Sequence, residues 1–198
     1  MCKMWKGKAG MKIGTKSILW GIHNPIIHTF FVTVAWIIIY RTLPNLAEFV
    51  AIIIHDLGLW GQPNIDGPEG ERHPEVVFDK VKDYACKYHQ RRHSDFLIKV
   101  ANLVIGHSGW YAAKHGLPLS KLYYADKLAN ALYPTTLYLL LGILSGEIKE
   151  YRQRTADGKY QNNNMDNSSM LHWLLTLKAN MTMVGLKLRK VNFKHESY

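Results

Sequence analysis

Apolar residues recur along this chain at helical spacing, and proline, glycine and polar clusters separate the runs where hairpin turns would separate strands. The pattern predicts an all-α fold. A first core helix is expected over residues 25–41, with Phe31, Val34, Ala35 and Ile38 on one face. Pro44 suits the first turn of a second helix that ends near Gly58. Residues 58–70, GLWGQPNIDGPEG, hold four glycines and two prolines, a mixture no regular element tolerates, so they form a shaped loop. Further helices are expected over 74–88, 94–107 and 119–132, with another after Pro134. Past Tyr151 the stretch YRQRTADGKYQNNNMDNSS reads as a polar linker or surface loop. Met170, Trp173, Leu174, Leu177, Met181 and Val184 then define the apolar face of a last amphipathic helix, packed on the domain rather than on a membrane. The expected organisation is a basic segment over 1–20, a helical bundle over 21–150 and a C-terminal helical appendage over 151–198. No internal repeat is present.

Composition narrows the class. At 198 residues, 47% hydrophobic and 20% charged, the chain has the balance of one globular domain and not of a disordered polymer. Its net charge of +10 favours anionic partners, and nucleotides, nucleic acid and an anionic membrane surface all satisfy that demand. Nucleic acid is left without support from any recognised binding motif. Two cysteines, Cys2 and Cys86, cannot build a disulfide framework or a cysteine-ligated zinc site, so a reducing, cytoplasmic setting is expected. The lysines before residue 17 imitate a signal peptide, but His23, Asn24, Pro25 and His28 interrupt the apolar run and no small-residue cleavage site follows. The apolar stretches at 29–40 and 137–144 fall short of the roughly twenty residues a bilayer requires, and are read as buried helices. No transmembrane segment is expected.

The informative dipeptide is His55-Asp56, which closes the apolar run AEFVAIII. An imidazole beside a carboxylate at the end of a buried helix costs desolvation energy unless the pair is hydrogen-bonded or holds a cation. A lone pair of this kind is a weak signal. Here it has company, with His28 inside the upstream apolar helix and Asp126 inside LSKLYYADKLANAL. His23 is the rival of His28: five residues apart on a helix, the two cannot share a face.

His28, His55, Asp56 and Asp126, in the contexts HDLGLW and ADKLA, resemble the HD superfamily of metal-dependent phosphohydrolases, over residues 25–133. The resemblance implies that the bundle over 21–150 is an HD domain of about five helices carrying a metal site. His73 in GERHPEVVFDKV and His107 in VIGHSGWYAAKH fall where binuclear members place further ligands. The second of these segments is similar to the corresponding region of HD-type diadenosine tetraphosphate hydrolases. The implied ligand set is His28, His55, Asp56, His73, His107 and Asp126, holding one or two divalent ions (Mn, Fe, Co, Ni or Zn), with Asp56 as the bridge and catalytic carboxylate. His89, His93, His115, His172 and His195 receive no role.

The implied reaction is attack of activated water on phosphorus in a nucleotide, a dinucleotide or another small phosphate ester. Lys127 beside Asp126, Arg72 beside His73, and Lys121 are candidates for binding the remaining phosphate oxygens, with Lys114 behind them. Asp66, Glu69 and Glu71 in the shaped loop are candidates for a general acid or for contacts behind the ligands, and Trp60, Trp110 and Tyr111 for walls of the site. Two alternatives are a mononuclear nucleotidase or triphosphohydrolase using only His28, His55, Asp56 and Asp126, and a non-catalytic HD module that binds a nucleotide.

Overall fold

The structure is a computed structural model that describes residues 10–87, 91–158 and 165–195. Among these residues it is all-α, without a strand: α1 (Ile13–Trp20), α2 (Pro25–Tyr40), α3 (Leu46–Ile54), α4 (His73–Lys87), α5 (Arg91–Ile105), α6 (Gly109–His115), α7 (Lys121–Leu132), α8 (Thr135–Ser145), α9 (Glu147–Ala156) and α10 (Met170–His195). Short 3-10 turns at Leu57–Leu59 and Gly70–Arg72 lie between α3 and α4.

Local chemistry sets the boundaries. The side chain of Asn24 accepts from the Ile26 and Ile27 amides and Pro25 occupies the first turn, so α2 starts where expected. α3 begins later than Pro44 suggested. Asn45 and Glu48 form a reciprocal capping box, which satisfies the free amides of the first turn and leaves Pro44 outside the helix.

α2 also sits rotated from its expected face. Its fully buried residues are His28, Val32, Ala35, Trp36 and Ile39, while Phe31, Val34 and Ile38 are half-buried. A helix that is apolar nearly all round has no amphipathic stripe to orient it, so its partners decide which side goes in. One core packs α2, α3, α5 and α7 together through Trp36, Ile52, Val104, Leu122 and Ala129. A second gathers α1, α8, α9 and α10 through Ile18, Tyr138, Ile148, Trp173 and Leu174.

Three helices were not foreseen. α1 lies within the segment expected to be merely basic and packs on α8 and on the Leu57–Leu59 turn; Lys3, Lys6 and Lys8 fall outside the described residues. α6 follows the Ser108 cap, whose hydroxyl accepts from the Tyr111 amide. α9 runs through Tyr151, where the chain turns polar, because Glu147, Ile148 and Tyr151 still face the second core. Of the expected linker, residues 159–164 lie outside the described set.

α10 packs along α7 and α2. On its expected apolar face Trp173, Leu174 and Leu177 are buried, and Met170, Met181 and Val184 are half-buried. No single helix among the described residues is long and apolar enough to cross a membrane.

Candidate metal centre

The six ligand candidates come from five helices and turns. His28 lies in the first turn of α2, His55 at the end of α3, Asp56 in the turn after it, His73 at the start of α4, His107 just past α5, and Asp126 in the middle of α7. The fold brings all six together. His28, His55, Asp56 and Asp126 form one group and Asp56, His73 and His107 a second, with the donor atoms of each group within 4.8 Å of one another.

Asp56 belongs to both groups through different oxygens. Its Oδ2 lies 3.0 Å from His55 Nε2 and 3.3 Å from His28 Nε2. Its Oδ1 lies 3.5 Å from the Nε2 atoms of both His73 and His107. Asp126 closes the first group, with Oδ1 3.0 Å from His28 Nε2 and 3.9 Å from His55 Nε2. Its Oδ2 takes Lys127 Nζ at 3.0 Å.

The backbone orients three of the four rings in one way. His55, His73 and His107 each donate from Nδ1 to the carbonyl three residues earlier: Ile52 at 2.8 Å, Gly70 at 2.7 Å and Val104 at 2.5 Å. Donation to a carbonyl fixes each tautomer. His28 donates from Nδ1 to the Tyr133 hydroxyl at 3.4 Å, and that hydroxyl donates to the Ile22 carbonyl at 2.8 Å. All four Nε2 atoms therefore face inward, which is the outer-shell arrangement metal-ligating histidines use.

Several features of this cluster fit a cation. His55 Nε2 and Asp56 Oδ2 are buried and complete no hydrogen bond although they are 3.0 Å apart. His73 Nε2 faces His107 Nε2 at 2.9 Å, and two lone pairs at that separation repel unless a positive charge lies between them. Burial and the neighbouring His107 push His73 down to about 3. Imidazole nitrogen with carboxylate oxygen is a donor set for borderline divalent ions.

The two carboxylates sit well below the usual carboxylate range. Burial works against this for Asp56, but the His55 and His23 imidazoles outweigh it; for Asp126, Lys127 and His28 do so. His55 is pulled down by burial yet raised overall to about 10, chiefly by Asp56. His28 is lowered by burial, with Asp126 opposing.

Of the three phosphate-binding candidates, Lys127 alone is joined to the cluster. Arg72 is exposed and pairs with Glu75 at 2.7 Å. Lys121 pairs with Glu48 at 3.7 Å and lies over the Trp36 and Tyr40 rings. In the shaped loop, Asp66 lies close enough to Lys127 to help Asp126 raise its pKa. Glu71 is taken up by Arg154 at 2.7 Å and Glu69 by Asn64 at 2.6 Å. Glu150 of α9 pins the loop, accepting from the Ile65 and Asp66 amides. Trp60 is exposed, Tyr111 is buried, and Lys114 lies 4.5 Å over the Trp110 ring.

His23 and Glu147 form a pair the sequence did not disclose. The His23 ring lies edge-on to His28, centroids 5.5 Å apart, so the two histidines weighed as rivals both belong to the site region. His23 Nδ1 is 2.9 Å from Glu147 Oε2 and 2.8 Å from Ser17 Oγ. Glu147 is wholly buried and also accepts from the Ile22 amide and the hydroxyls of Ser145 and Tyr151. Burial lowers His23, but Asp56, Glu147 and Asp126 together raise it to about 9. The only sequence signal was an acid embedded in LLLGILSGEI. His23 and the ligands His28, His55 and Asp56 line a narrow crevice completed by Pro25, Thr29, Ile53 and Leu57. A roomier groove beside it, lined by Ile54, Leu57, Val77, Val81, Tyr84 and Leu97, offers only Lys80 and Tyr84 as polar side chains.

No protein-family model matches the chain, and neither the curated proteins nor the solved structures compared with it give a match. What the molecule shows is an all-α protein with a buried histidine–aspartate cluster arranged to bind metal.

Proposed function

We propose that this chain is a cytoplasmic metal-dependent phosphohydrolase of the HD superfamily, acting on a nucleotide, a dinucleotide or another small phosphate ester. The observation that carries the reading is Asp56, whose two oxygens each face a separate histidine group. His28, His55, Asp56 and Asp126 would hold one ion, and Asp56, His73 and His107 the other. When bound, divalent ions supply Lewis acidity toward phosphoryl oxygens and make water acidic enough to attack phosphorus near neutral pH. Lys127, the cation beside Asp126, binds a phosphate oxygen. His23 lines the crevice with Nδ1 fixed by Glu147, and gives its Nε2 proton to the departing oxygen as the P–O bond breaks.

The test is a phosphate-release screen over nucleotides and dinucleotides with manganese, cobalt or iron, beside an Asp56→Ala control. Release that depends on metal and disappears in the control is the expected result. Tight nucleotide binding with no release under any metal would replace this reading with the binding module.

A further inference from the structure

Outside the metal cluster, the least explained feature of the surface is an apolar face made by α2 and α3. These helices pack side by side, and their outer edges flank the crevice. On α2 the edge carries Ile26, 82% exposed, and Phe30, 61% exposed. On α3 and the turn after it, the edge carries Leu46, Phe49, Ile53 and Leu57, all exposed at helical spacing. α1 and the turn that packs on it add exposed Trp20 and Trp60 at the crevice end. Together these eight exposed side chains exceed the singly scattered apolar residues that an ordinary monomer surface carries.

Charge indicates what covers this face. Residues 1–47 contain six lysines and arginines and no aspartate or glutamate. The first acid, Glu48, is spent on the Asn45 amide and on Lys121. A second copy docking through α2 and α3 would meet one acid on them, Glu48, which is already paired. A nucleic acid would use the cations and have no partner for the exposed aliphatic strip. An anionic bilayer uses both, taking apolar side chains below the headgroups, tryptophans at headgroup level and cations against the phosphates.

We propose that this face seats the protein on an anionic lipid surface, with α2 and α3 lying in the plane of the headgroups. The association needs neither bound metal nor catalysis, so it stands or falls separately from the hydrolase reading.

The experiment is co-sedimentation of the full chain with phosphatidylcholine vesicles containing roughly one-third phosphatidylglycerol, and with pure phosphatidylcholine vesicles. Binding to the anionic vesicles only, weakened by salt, is expected. Ile26→Gln with Phe30→Gln reduces the partition coefficient by at least about tenfold, and Lys12→Gln with Lys16→Gln reduces it by roughly 30-fold. Both variants keep the helical circular-dichroism spectrum, since all four positions lie outside the two cores. Failure to bind anionic vesicles, or binding indifferent to both variants, overturns the proposal. So does a dimer seen by light scattering that Phe30→Gln dissociates, because the face would then belong to a second copy.

Discussion

Replacing Glu147 by glutamine tests whether the His23–Glu147 pair is an ion pair built into the site. Glu147 is 0% exposed, and its oxygens accept from the Ile22 amide at 2.9 Å, Ser145 Oγ at 2.7 Å, Tyr151 Oη at 3.3 Å and His23 Nδ1 at 2.9 Å. Glutamine keeps the shape and one acceptor oxygen, but turns an N–H toward a donor and removes the charge opposite His23. Deleting one partner of a buried pair costs about 3–5 kcal/mol, and losing a single charge-assisted hydrogen bond about 1.5–3 kcal/mol. The rise of His23 from 6.5 to about 9 caps the charge effect near 3 kcal/mol, and Asp56 and Asp126 share it. A loss of about 2 kcal/mol is expected.

The loss carries a pH signature. His23 has its pKa raised by folding, so its contribution is complete below pH 6.5 and disappears as pH climbs toward 9. Glu147 is lowered by folding, because His23, Ser145 and the Ile22 amide outweigh its burial, so its contribution is complete above about pH 4.5. The penalty is therefore largest between those values and shrinks from pH 6.5 to 9. Urea unfolding of the metal-free protein in chelator, at pH 6 and at pH 9, measures it. A penalty under about 0.5 kcal/mol at pH 6, or one that grows toward pH 9, refutes the ion pair.

Three further outcomes are expected. His73→Ala with His107→Ala lowers the bound metal by one ion per chain and Asp56→Ala lowers it further, as read by elemental analysis after gel filtration; unchanged metal in the double variant contradicts a bridging Asp56. Gly58→Ala displaces His73, because the added methyl would lie 2.1 Å from the His73 carbonyl oxygen; calorimetric titration should show the Asp56, His73 and His107 site lost while the helical spectrum persists. Trp173→Ala empties a fully buried position stacked on Tyr151 and costs about 3–5 kcal/mol, lowering the thermal midpoint by roughly 10 °C.

The chain by itself determined the all-α class, seven of the ten described helices, and His28, His55, Asp56 and Asp126 as conspicuous residues, while His73 and His107 were named only by the resemblance. Those features are written locally: helical periodicity needs a few turns of sequence, and a histidine or aspartate inside an apolar run is conspicuous because burying it alone is costly. Tertiary structure decided the rest. The rotation of α2 was illegible because the helix is apolar on nearly every side, and packing against α3, α7 and α10 settles which side is buried. Glu147 meets His23 across more than a hundred residues, and Arg72 and Lys121 found other partners. A contact of that range depends on how helices pack, and neither spacing nor composition encodes it.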